Sequence, residues 1–131
     1  MDVESIRAYC LSLPQATEDI KPQWGDALLF RIAGKIFVSM SLSDIPLHMN
    51  AKCTPARFAE LLEVAGVKVA AYVGRYHWID FPIAGVFRDA EVKELISESY
   101  ENVRSKLPKS ALGSKQTPAR KPKKLKMKKS E

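Results

Sequence analysis

Nine of the chain's 21 lysines and arginines fall within its last 23 residues, at Lys109, Lys115, Arg120, Lys121, Lys123, Lys124, Lys126, Lys128 and Lys129, against a single acid, Glu131. A segment of net charge +8 can neutralise phosphates and release the counterions condensed on a nucleic acid. With about five phosphates engaged at once, log K would fall against log salt with a slope of about −4 to −5 on duplex DNA. Such contacts position a partner and read no sequence. The ordinary alternative is a solubilising polycation that attracts any polyanion, including RNA or an anionic membrane. A high density of lysine without an amphipathic face points to nucleic acid over membrane.

Two other places set a cation beside a turn glycine, Gly34-Lys35 and Gly74-Arg75. Two such turns could grip a nucleic-acid backbone, although cations are common in turns simply because turns face water. His77-Trp78 is the conspicuous aromatic pair. In an alternating strand the two side chains take opposite faces, so one enters the core and the other is exposed. An exposed tryptophan can stack on a base at about 1–3 kcal/mol. In a small domain a strand tryptophan is ordinarily core, and the neighbouring histidine a structural hydrogen-bonding residue.

Catalytic and metal chemistry find little to work with. His48 and His77 are the only histidines, 29 positions apart, and no CxxC, HxxxH, HExxH, GxSxG, DxD or glycine-rich phosphate loop occurs. Cys53 precedes Thr54 at the expected start of a helix, where the helix dipole could activate a thiol, but a buried inert cysteine is the commoner case. Asp26, after Trp24-Gly25, is the type of lone acid that makes turn hydrogen bonds. No enzyme activity, cofactor or metal is therefore expected.

The elements that must position these residues lie in 1–108, where 12 basic and 14 acidic side chains give a net −2. A mildly acidic globule thus carries a polycationic segment, and 109–131, rich in Lys, Pro, Ser and Ala, is expected to be a disordered basic tail. Cys10 and Cys53 lie 43 positions apart and fit neither a disulfide framework nor a zinc motif. Acids at Asp2 and Glu4 occupy the place where a secretory signal has cations, and no apolar run approaches the roughly 18 residues of a membrane span; a cytoplasmic protein is expected.

Within the body, Asp2 caps a helix with Val3, Ile6, Cys10 and Leu13 at helical spacing, ended by Pro14. Ala27–Ala33 and Lys35–Ser41 read as a hairpin about Gly34, and Ile45, Leu47 and Met49 alternate as a third strand with Pro46 near its start. Thr54-Pro55 starts a second helix with Phe58, Leu61, Leu62 and Ala65 as its buried stripe and Gly66 at its end. Lys68–Val73 and Tyr76–Phe81 form a second hairpin about Gly74-Arg75. Asp89 caps a last helix burying Val92, Leu95, Ile96, Ser99, Tyr100, Val103 and Leu107, with Glu91, Glu94, Glu98 and Glu101 in water, and Pro108 ends it. Helix, three strands, helix, two strands, helix predicts an α+β two-layer sandwich with an antiparallel sheet.

Arg7 to Ala16, Trp24-Gly25, Phe30 to Phe37, His77-Trp78-Ile79, Ser99-Tyr100 and Lys106-Leu107-Pro108 resemble the MmcQ/YjbR family, in the family's order and over 1–108. The resemblance implies an α-β(3)-α-β(2)-α sandwich related to secretion chaperones and to frataxin-like (CyaY-like) domains. It also implies a DNA-binding role through a double wing of two hairpins, and no established catalysis. The sequence departs from the family pattern near Ala71 and at Phe81 to Gly85, where Pro82 is expected to interrupt the last strand. On this reading the protein binds DNA, and RNA as a second polyanion, through the tail, with Lys35, Arg75, His77 and Trp78 on the wings. Two alternatives stand beside it. One is a module that binds a peptide or a second copy through an exposed apolar patch, without DNA. The other is an enzyme whose pocket gathers His48, His77 or Cys53.

Overall fold

The computed structural model of the protein describes residues 1–70 and 77–108. Asp2 accepts a hydrogen bond from the Ser5 backbone N–H at 2.8 Å and caps α1, Val3–Ser12, which buries Ile6 and Cys10. Four strands follow: β1 at Ala16–Lys21, β2 at Ala27–Ile32, β3 at Lys35–Ser41 and β4 at His48–Lys52. Next come α2 at Pro55–Leu61, β5 at Lys68–Val69, β6 at Trp78–Pro82 and α3 at Asp89–Arg104. The strands form an antiparallel sheet in the order β1-β2-β3-β4-β6-β5. Ile6, Cys10, Val92, Leu95 and Ile96 from α1 and α3 share one core with Phe30, Ile32, Val38, Met49, Ala51, Ile79 and Phe81 from the sheet. The register places Asp19, Leu29, Ser39, Asn50, Asp80 and Lys68 in a row across the other face. This is the α+β two-layer sandwich that the element pattern predicts.

The structure corrects several details. One strand more than expected precedes α2. β1 carries Glu18, Asp19 and Lys21, so it lacks the apolar alternation that marks a half-buried strand. Pairing with β2 and an ion pair to α1 hold it: Arg7 reaches both Glu18 carboxylate oxygens, at 2.9 and 2.6 Å. That guanidinium holds the Glu18 carboxyl below its ordinary range.

The third expected strand starts three residues later than predicted. Ile45 is 97% exposed, and the ladder begins at His48, beyond Pro46, which has no N–H to give it. Pro82, expected to break the last strand, is instead its final residue, opposite His48. Ile83 N–H bonds to Leu47 O on the β4 side, so the missing N–H of Pro82 faces the opposite side, past the end of β5. The cap of α3 is Arg88 rather than Asp89; the Glu91 carboxylate accepts the Arg88 backbone N–H at 2.9 Å. α2 stops at Leu61, so Ala65 falls off its buried stripe and is exposed. Gly66, at φ +95°, lies where a Cβ would stand 2.8 Å from Val86 Cγ2, so both conformation and space require glycine.

A bulge next to Phe30 sets the geometry of the sheet's centre. Phe30 pairs with Val38 but Arg31 with Ile36, which leaves Phe37 as the extra residue and lets Phe37 and Val38 both enter the core. The β3–β4 register runs as far as Val38 opposite Ala51. At the next step the Ser99 hydroxyl of α3 takes the place of a ladder bond. It accepts the Lys52 backbone N–H at 2.8 Å and donates to Phe37 O at 2.5 Å. Asn102 Nδ2 then donates to Lys52 O at 3.2 Å, so both backbone groups of Lys52 are satisfied from the helix. Replacing Ser99 with alanine orphans a donor and an acceptor at a fully buried position. We expect Ser99→Ala to lower stability by about 1–3 kcal/mol, read in urea as a lower midpoint at unchanged m-value.

Candidate functional site

At the end of the sheet where β3 begins and β4 finishes, the last turn of α3 closes over the strands and leaves a cleft of about 210 Å³. Ile36, Val103 and Leu107 give it apolar walls, Trp78 contributes its half-buried side chain, and Lys35, Lys52 and Lys106 complete it. Each position follows from local structure. Gly34, at φ +82°, makes the β2–β3 turn, closed by Arg31 Nη1 donating to Gly34 O at 3.0 Å, and Lys35 is the next residue. Lys52 ends β4 with its backbone held by Ser99 and Asn102, and it stands opposite Trp78 in the register. Trp78 is held from the far side by Ala70 N–H donating to its carbonyl at 3.1 Å. Lys106 lies just beyond α3, in a turn fixed by its N–H to Val103 O at 3.2 Å.

The charges of this cleft are uncompensated. Every described arginine has a carboxylate within ion-pair distance, Arg57 having Glu60, Glu94 and Glu98. Among the described residues, Lys35, Lys52 and Lys106 make no ion pair. Partial burial, and then the charge of Lys106, pull the Lys52 ammonium below its ordinary pKa. An anion entering the cleft would offset the repulsion between Lys52 and Lys106.

Of the residues singled out in the sequence, the structure brings Lys35 and Trp78 together here. Lys52 and Lys106 were missed: the third strand was expected to end before Lys52, and Lys106 stood out only as part of a helix end. His77 is elsewhere. Its backbone is left-handed at φ +69°, its carbonyl accepts the Cys53 N–H at 2.8 Å, and its ring packs edge-on against Phe58 at 5.2 Å. Arg75 and the tail cations Lys115, Arg120, Lys121, Lys123, Lys124, Lys126, Lys128 and Lys129 lie outside the described residues.

The residues considered for catalysis do not converge. His48 pairs with Asp80 through Nδ1 at 2.6 Å on the sheet face away from the core, and Cys53 is buried at the opposite end of β4. Among the described residues, no group of three His, Cys, Asp or Glu side chains could hold a metal ion. Elsewhere, an apolar cleft of about 500 Å³ lies between the start of α1 and the Pro46-Leu47 and Pro82–Ala84 segments, beside the exposed Ile45.

A family model described as YjbR matches residues 11–102, from the end of α1 nearly to the end of α3. The chain belongs to the YjbR family. Among solved structures, Deinococcus radiodurans protein DR2400, of domain DUF419, shares the fold with a TM-score of 0.75 at 23% identity, over 83% of each chain. A Pseudomonas syringae protein does so with a TM-score of 0.64 at 20% identity, over 76% of this chain and 96% of its own. No curated protein matches the sequence. The YjbR match includes Lys35, Lys52 and Trp78, whereas Lys106 and the cationic segment lie beyond it.

Burial pushes the Cys10 thiol up to about 12 and the Cys53 thiol up to about 11, so thiolate is scarce at both. We expect neither cysteine to react with Ellman's reagent at mildly alkaline pH in the native protein, and both to react in denaturing guanidinium.

Proposed function

We propose that the protein binds nucleic acid without sequence preference, engaging phosphates through the Lys35–Lys52–Lys106 cleft and through the cationic run from Lys109 to Lys129. The observation that carries this reading is the cluster of three unpaired lysines around Trp78. Leu107 lines the same cleft, and Lys109 opens the run two residues later, so the two cationic regions are continuous along the chain. The rest of the domain disfavours a polyanion. Residues 1–108 carry a net −2, and α3 presents Glu91, Glu94, Glu98 and Glu101. A phosphate backbone is therefore drawn to one end of the sheet. The contacts are to phosphate, which accounts for affinity without sequence readout. This agrees with the DNA-binding role implied by the family resemblance and moves its centre from two wing tips to one cleft.

A protein-docking role is favoured by a different observation, the apolar cleft beside Ile45 at the other end of β4. If that surface joined two copies, Ile45→Ser would abolish a dimer seen by sedimentation and leave nucleic-acid affinity untouched.

The nucleic-acid reading is tested by fluorescence anisotropy on the full chain against a mixed-sequence duplex over a range of salt. We expect a log–log slope of about −4 to −5. Replacing Lys121, Lys123, Lys124, Lys126, Lys128 and Lys129 with glutamine should bring the slope to about −1 to −2, and replacing Lys35, Lys52 and Lys106 should remove about one to two units from it. Absence of binding at low salt to duplex and single strand alike would overturn the reading.

A further inference from the structure

We infer that the Trp78 cleft receives an unpaired base, so that the protein prefers single-stranded over duplex nucleic acid. The inference rests on the nucleic-acid reading above and adds to it the form of the partner.

Lysines alone would not discriminate strandedness, because both forms present phosphates. The discriminating feature is the aromatic and apolar lining. Trp78 faces a cleft whose other walls are Ile36, Val103 and Leu107. Among the described residues its ring makes no aromatic pair, unlike Phe37 with Tyr100, Phe58 with His77 and Phe81 with Phe87. A base in a duplex has both faces covered by its neighbours and cannot offer one to a protein wall. An unpaired base can, and aromatic platforms flanked by cations are the usual means of holding single strands.

Size and rigidity agree. At about 210 Å³ the cleft is smaller than the roughly 300–1,000 Å³ of sites that enclose a whole small molecule. It suits one base with its sugar and phosphate left outside, where three ammonium groups are at hand. A free mononucleotide would bury too little to bind well, so affinity must come from the attached strand. The Trp78 backbone is held by pairing with Lys52 on one side and by the Ala70 N–H on the other, so little backbone ordering is needed on binding.

The test uses the full chain with three ligands: a mixed-sequence single-stranded oligonucleotide, its duplex, and a nucleoside monophosphate as competitor. The single strand should bind more tightly than the duplex and quench tryptophan emission. Trp78→Leu, which keeps an apolar side chain in the wall, should weaken single-strand binding roughly five- to hundredfold and leave the duplex unchanged. Trp78→Phe should retain part of the preference but lose the quenching, which assigns the signal to Trp78 rather than Trp24; it also serves if the leucine variant fails to fold by circular dichroism. The inference is overturned if strand and duplex bind equally, if Trp78→Leu weakens both alike or neither, or if the monophosphate displaces the strand at equal phosphate concentration. Should neither polymer bind at low salt, the nucleic-acid reading itself fails, an outcome distinct from binding without preference.

Discussion

One hydroxyl group ties the two layers of this domain together. Ser99 lies on the buried face of α3, accepts from Lys52 N–H and donates to Phe37 O, filling a gap in the ladder between two central strands. The gap follows from the bulge at Phe37, which turns two consecutive apolar side chains into the core and carries the backbone of β3 away from β4. Left empty, it would bury an unpaired donor and an unpaired acceptor. Filled from the helix, it fixes α3 along its length against the sheet. The same helix is tied at Tyr100, whose hydroxyl donates to Pro14 O at 2.6 Å, and at Ser97, within 2.5 Å of the Tyr9 hydroxyl. Lys52 is positioned as a result, with Trp78 opposite it, and the end of α3 is held where Val103 and Leu107 can wall the cleft. The candidate site is thus a consequence of how the sheet is mended.

Charge divides by residue type in a way that matches this architecture. The arginines serve structure: Arg7 clamps the edge strand to α1 with two bonds to Glu18, and Arg57 gathers three glutamates of α2 and α3. Planar guanidinium groups suit such multidentate pairing. The lysines of the cleft make no ion pair among the described residues, and burial, then the charge of Lys106, depress the Lys52 ammonium pKa. Because its folded pKa is lowered, the charged form of Lys52 is less favoured in the free protein than it would be in water. A bound phosphate would favour that charged form and so oppose the shift.

Most of the fold was legible in the sequence because it is written in periodicity and caps. The stripe of α3 from Val92 to Val103, the Thr54-Pro55 start of α2 and the Gly34 hairpin all appear where the pattern places them. β1 escaped because an edge strand with one face open is held by its neighbour's backbone and by Arg7, neither of which leaves an apolar pattern. The start of the third strand was misread because Ile45, Leu47 and Met49 alternate convincingly, yet only the last two of these lie against the core. Pro82 misled in the opposite sense: a proline is harmless at a strand end once no partner asks for its N–H. The cleft was legible only in part. Lys35 and Trp78 stood out as a turn cation and an aromatic, but Lys52 and Lys106 come to them through long-range register and helix docking, which no local motif records.

The family match and the cleft overlap unevenly, and the mismatch bears on how binding strength is divided. Lys35, Lys52 and Trp78 fall inside the matched stretch, where the bulge, the Ser99 bridge and the β4–β6 register hold them. Lys106 and the nine cations that follow lie outside it. A rigid part that presents a shaped aromatic slot can discriminate between forms of a polyanion but supplies few charges. A long cationic run supplies many charges and discriminates little. In the proposed role the two are complementary, since the run raises the local concentration of nucleic acid at a slot whose own affinity is small. In that role selectivity would reside in the domain and affinity in the segment after it. Pro108 alone lies between Leu107, in the wall of one, and Lys109, the first lysine of the other.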